Sequence, residues 1–138
     1  MARQTLFAYV DGYDLEGVAA DLECQFAAFV ASRAWRSPDV WIVNQRDPGA
    51  PSDTEDLRQW DLGLNIDLPD PGTETPGWFA DIEAIALFLT RLNTTTGRAF
   101  VIGVQDNEAD FNEDLLAIDS PTPDLTRLRT LIGVGPIA

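Results

Sequence analysis

Apolar and polar positions along the chain fall into two rhythms, one of period two and one near 3.6. Residues 5–10, TLFAYV, are apolar on both faces and rich in aromatic side chains, which reads as a first strand. DGYD then turns the chain. Leu15, Val18, Leu22, Phe26, Phe29 and Val30 recur at steps of three and four. That spacing predicts a helix from about Leu15 to Ala34, with Asp14 as its N-cap. Pro38 ends it by disfavouring helical geometry at Ser37, and VWIVNQ (40–45) follows as a second strand.

Residues 46–61 are the longest polar interruption. Ser52 and Glu55 have capping-box spacing, so a short helical turn is expected over 53–60. A domain boundary is not expected there, because neither half alone has enough core. DLGLNIDLP (61–69) alternates clearly: Leu62, Leu64, Ile66 and Leu68 point one way, and Gly63, Asn65 and Asp67 point toward a wet face. Thr75 and Pro76 open a second helix over about 76–93, with Trp78, Ile82, Ile85, Leu89 and Leu92 on its buried stripe. Gly97 is its natural exit. RAFVIGVQ (98–105) reads as a buried strand, and LLAID as a strand returning after an acidic loop. The last short helix takes Thr122 as cap and Pro123 in its first turn, turning Leu125, Leu128 and Ile132 inward.

The order is β-α-β-β-α-β-β-α. Two strand-helix-strand halves of similar length predict an α+β sandwich of the split β-α-β, ferredoxin-like kind. It should have a mostly antiparallel sheet, helices on one face, an added hairpin strand and a terminal helix, as a single α+β domain over 1–138. A doubly wound parallel sheet is the competing arrangement. Three helices for five strands, and a hairpin-like segment at 104–119, speak against it.

Composition changes the picture through charge. The chain has 23 acidic and nine basic residues, a net charge of −14, and no His. Every basic residue is Arg. The absence of His and Lys excludes histidine bases, Ser-His and Cys-His pairs, His-ligated zinc, Schiff-base lysines and the lysine of a phosphate loop. Gly133 and Gly135 in IGVGP follow a helix and do not open one, so they fit no nucleotide-binding turn. A field this negative repels nucleic acid and anionic membrane and attracts cations or basic proteins. No cofactor is expected.

Cys24 is the only cysteine, so no internal disulfide forms, and among Leu22, Phe26 and Phe29 a small buried thiol is expected. Trp35, Trp41 and Trp78 occupy helix or strand positions and are expected in the core. The opening residues lack the apolar core of a signal peptide, and no apolar run is long enough to span a membrane. The expected location is the cytoplasm.

Candidate chemistry concentrates in VIGVQDNEADFNEDLLAID. Asp106, Glu108, Asp110 and Asn112 take positions one, three, five and seven of a calcium-loop register. The register then fails, with Phe111 where Gly is needed and Ala117 where a bidentate Glu is needed. An irregular divalent-metal or small-ligand site using the 106–114 carboxylates is the alternative reading. Paired catalytic carboxylates need two contrasting environments, and one polar loop does not supply them. A non-enzymatic binding surface fits better. Asp106, Glu108, Asp110, Glu113 and Asp114 surround Phe111, while Asp56 and Asp61 accompany Trp60. An aromatic anchor in a charged rim suits a basic partner, although both aromatics also suit a role covering the ends of the core.

The stretch WFADIEAIALFLTRLNTTTGRAFVIGVQDNEADFNEDLLAID, in a small acidic α+β chain, resembles the bacterial immunity proteins that neutralise cognate toxins. The resemblance is one of overall character. It implies an antitoxin-like inhibitor in a one-to-one complex with a toxic enzyme, often a nuclease or deaminase, whose basic substrate-binding face is occluded.

Overall fold

Six of the seven residues of β1 (Gln4–Val10) are buried, because this strand lies in the middle of a sheet. The computed structural model describes residues 4–11, 15, 17–37, 39–46, 60–69, 77–109, 111–122 and 124–132; at 46, 60 and 131 it describes the backbone alone. After β1 come α1 (Ala19–Ala31), β2 (Val40–Arg46), β3 (Trp60–Asp67), α2 (Phe79–Thr96), β4 (Phe100–Asp106), β5 (Phe111–Ile118) and α3 (Leu125–Ile132). The result is an α+β protein whose open five-stranded sheet has the order β2-β3-β1-β4-β5. Every pairing is antiparallel.

The main core lies between one sheet face and the helices. Leu6, Ala8, Val10, Leu62, Leu64, Ile66, Phe100 and Ile102 meet Leu22 and Phe26 of α1, Ile82, Ile85 and Leu89 of α2, and Leu128 of α3. Each large side chain buried here contributes about 2–3 kcal/mol of transfer free energy. Phe88 bridges α1 and α2, stacking on Phe29 at 4.2 Å and meeting Phe26 edge-on at 5.3 Å. Arg129 of α3 lies 4.6 Å over the Phe79 ring and 3.8 Å from Glu83, which docks α3 on α2.

The opposite sheet face has a smaller cluster of Phe7, Tyr9, Val43 and Val101. The alternation expected in β3 is therefore present, but its second face is not wet. Gly63 and Asn65 are buried there. The Tyr9 hydroxyl donates to Asn65 Oδ1 at 2.7 Å, and the Ala8 carbonyl approaches Gly63 so closely that an added Cβ would lie 1.9 Å from its oxygen.

Helix ends differ from the expectation for local reasons. Helix α1 begins at Ala19 and not Leu15; Val18 is its cap position, with no side-chain cap bond. Leu15 instead accepts backbone bonds from Val18 and Ala19, and Gly17 disfavours an earlier helical start. At the other end the Ser32 hydroxyl donates to the Phe29 carbonyl and the Trp35 indole to the Val30 carbonyl, which stops α1 before Ala34. Helix α2 runs on through Thr94, Thr95 and Thr96, whose hydroxyls bond the carbonyls four residues back, and ends at left-handed Gly97 as expected. Asp124, and not Thr122, caps α3: its carboxylate accepts the Arg127 N–H at 2.9 Å. Asp14, residues 53–59 of the expected turn, Thr75 with Pro76, Pro123, Gly133 and Gly135 lie outside the described residues, and Trp60, expected to end that turn, opens β3 instead.

Two core expectations are overturned. Cys24 is exposed, because its position on α1 faces away from the stripe formed by Leu22 and Phe26. Trp41 is 41% exposed, since it lies on edge strand β2 and on the sheet face away from the helices.

Candidate functional site

The acidic segment is more strand than loop. β5 pairs with β4 from Phe100↔Ile118 to Asp106↔Phe111, so residues 111–114 belong to the strand, and 107–109 form the described part of the turn. Phe111, Glu113 and Asp114, expected in a loop, are therefore held on an edge strand by backbone pairing. The turn is fixed from inside: Asp106 Oδ1 accepts the N–H groups of Glu108 and Ala109, each at 3.0 Å. Asn107 Nδ2 donates to Thr5 Oγ1 at 3.0 Å, and the Thr5 hydroxyl donates to Asp67 Oδ1 at 3.0 Å. This chain ties the hairpin tip across β1 to β3.

Pleating then divides the acidic residues. Asp106, Phe111 and Glu113 share the face bearing the helices, in register with Val104 and Ile102. Asp114, the next residue, pairs with Gly103 on the other face, and a bulge at Leu115 follows. Phe111 is 55% exposed and points outward, so it does not cover the core. Glu108, Glu113 and Asp114 are also exposed, and Asp106 is half-buried.

The second acidic group is not brought to this place. Trp60 and Asp61 begin β3, whereas Asp67 ends it and sits one register row from Asp106. Six residues of strand separate Asp61 from Asp67, a distance of about 20 Å. Asp56 and Asp110 lie outside the described residues, and of Trp60 only the backbone is described. Sequence reading missed two carboxylates that share the end of the sheet with the hairpin: Asp67 itself and Asp39, whose carbonyl accepts the Asp67 N–H at 3.1 Å. Asp67 already stood out as the last polar position of the alternating strand.

A third missed carboxylate is Asp81, 1% exposed in the first turn of α2. It accepts from the Arg33 guanidinium at 3.1 Å and from the backbone N–H groups of Arg36 and Ser37 at 2.9 Å each. Its partners are all structural: it fastens the α1–β2 connection to α2. Burial inside a stripe otherwise apolar at 79, 82 and 85 is the sequence signal that marks it.

Two concavities lie among the described residues. One of about 360 Å³ between α1 and α2 is lined by Gln25, Phe29, Ser32, Phe88, Arg91 and Thr95. The other, about 380 Å³ along β5, brings Asp11 and Asp114 to Arg127. Among the described residues no three His, Cys, Asp or Glu side chains converge as a metal site requires. No described helix is long and apolar enough to cross a membrane. Comparison with protein-family models, with curated proteins and with solved structures finds no match.

Proposed function

We propose that the protein is a non-enzymatic acidic binding protein of the immunity type, which inhibits a basic cognate toxin enzyme by covering its substrate-binding face. The contact is the β4–β5 hairpin, with Asp106, Glu108, Phe111, Glu113 and Asp114; Asp67 and Asp39 extend the acidic end of the sheet two and three strands away from β4. One observation carries this reading. Phe111 is a large aromatic 55% exposed at an end of the sheet surrounded by carboxylates, on a hairpin pinned by backbone pairing and by the Asp106 turn. A rigid aromatic anchor loses little entropy on binding, and the surrounding charge accelerates encounter with a cationic face. The net charge of −14 and the lack of His and Lys support the same reading.

In this reading the chain acts in the cytoplasm. Its scaffold is the ferredoxin-like split β-α-β formed by β1 to β4 with α1 and α2, to which β5 and α3 are added. The strand order β2-β3-β1-β4 supports that assignment.

The test is neutralisation. A basic protein captured from native lysate, or encoded beside this chain, is assayed for toxicity and for nuclease or deaminase activity with and without the protein. Inhibition at equimolar ratio, lost on Phe111→Ala, is expected. Full inhibition by a variant with Phe111 and all the hairpin carboxylates replaced would remove the hairpin from the contact. A captured enzyme that keeps full activity at excess protein would remove the immunity role.

A further inference from the structure

Two described arginines each meet an aromatic ring and a carboxylate together. Arg33 lies 4.8 Å over Trp35 and 3.1 Å from Asp81. Arg129 lies 4.6 Å over Phe79 and 3.8 Å from Glu83. In both places the ring takes the guanidinium and the carboxylate supplies the opposite charge.

Phe111 and Glu113 repeat two of these three parts. They are two residues apart on β5 and share one face of the sheet, which sets their Cα atoms about 7 Å apart. Both side chains are exposed. Among the described residues, neither side chain has an ion pair, a hydrogen bond or a ring contact. The other described hairpin carboxylates differ. Asp106 is engaged in the turn, and Glu108 and Asp114 make further interactions within the chain. The carboxylate without such an interaction is the one beside the ring.

We propose, resting on the reading of this hairpin as the contact surface, that Phe111 and Glu113 form a seat for one arginine side chain of the basic partner. The guanidinium stacks on the exposed ring and turns its N–H edge to the Glu113 carboxylate. The occupant is an arginine and not a lysine. An ammonium matches the charge of Glu113, but it is compact and strongly hydrated, and the ring does not replace the water it would shed. A guanidinium is planar and more weakly hydrated, and its donors lie at its edge, so it meets ring and carboxylate at once. Strand pairing fixes the spacing of the two side chains, so the seat is formed before the partner arrives.

Titration of the isotope-labelled full chain with tri-arginine amide and with tri-lysine amide at equal salt, followed by the resonances of Phe111 and Glu113, tests the seat. The two peptides carry the same charge, so attraction to the net charge of −14 is common to both and the difference reads the side chain. Tri-arginine is expected to bind about fivefold more tightly, with the largest shifts at Phe111 and Glu113. Phe111→Leu should bring the two peptides to equal affinity, and Phe111→Trp should keep the preference. Glu113→Gln should weaken tri-arginine binding about threefold or more. Both side chains are exposed, so all three variants should unfold at the parent's temperature. Equal binding of the two peptides by the parent overturns the proposal. So does a preference that survives Phe111→Leu, or shifts centred away from residues 111–113. An arginine preference at Phe111 in a protein that inhibits no toxin enzyme keeps the seat and removes the immunity role alone. Toxin inhibition by a protein that binds both peptides equally removes the seat alone.

Discussion

The Phe7 ring lies directly on Gly103 of the neighbouring strand. A Cβ added at Gly103 would come within 2.2 Å of the ring's Cζ and 2.5 Å of the Glu113 carbonyl oxygen. Phe7 in turn stacks on Tyr9 at 5.0 Å, and Tyr9 donates to Asn65. The sheet face away from the helices is thus organised by one aromatic pair, with Phe7 seated where a neighbouring strand has no side chain. Gly103→Ala should force Phe7 off its seat or push β5 away, at a cost of about 2 kcal/mol. Chemical denaturation followed by tryptophan fluorescence measures this, and a variant as stable as the parent would show that the ring has room to move.

Asp81 fixes three donors that no other described side chain replaces in the bonds it makes. Asp81→Ala leaves two backbone N–H groups and a guanidinium without that acceptor in a part-buried setting. The expected loss is on the order of 2 kcal/mol. Asp81→Asn keeps one acceptor oxygen and should lose less. Thermal unfolding of both variants checks the order, and equal stability of Asp81→Ala and the parent would contradict the assigned role.

Phe111 and the hairpin carboxylates should separate affinity from stability. Phe111→Ala removes an outward side chain, so unfolding should change by less than about 0.5 kcal/mol. Binding to the basic partner proposed above should weaken about 30-fold or more, mostly through faster dissociation. Glu108→Gln with Glu113→Gln and Asp114→Asn should instead slow association and flatten its salt dependence. Stopped-flow kinetics at several salt concentrations distinguishes the two effects.

Cys24 lies on the exposed side of α1. Ellman's reagent should therefore titrate one thiol in the native protein, at a rate that denaturant does not raise tenfold. A thiol that reacts only after unfolding would place Cys24 under cover.

Much of the fold was legible in the sequence. The alternation of Leu62, Leu64, Ile66 and Leu68 and the helical spacing of Ile82, Ile85, Leu89 and Leu92 identified buried positions correctly, because both patterns are local. The acidic stretch was legible only in part. Its charge suggested a loop, but cross-strand pairing to Val104 and Asp106 draws Phe111 and Glu113 into β5. Trp41 and Cys24 were misread for a related reason: apolar character does not tell which strand ends at an edge, or which side of a helix faces out.

By itself, then, the sequence determined the charge, the missing chemistries and the existence and order of the elements, since periods of two and 3.6 are written in consecutive residues. Tertiary structure alone decided which carboxylates meet. It set Asp61 and Asp106 at opposite ends of the sheet, put Asp39 and Asp67 at the same end as the hairpin, and gave Asp81 backbone partners 44 and 45 residues away. It also made β2 and acidic β5 the two outer strands of the described sheet. The physical reason is that strand order is set by packing between distant segments, and no local pattern encodes which segment becomes a neighbour.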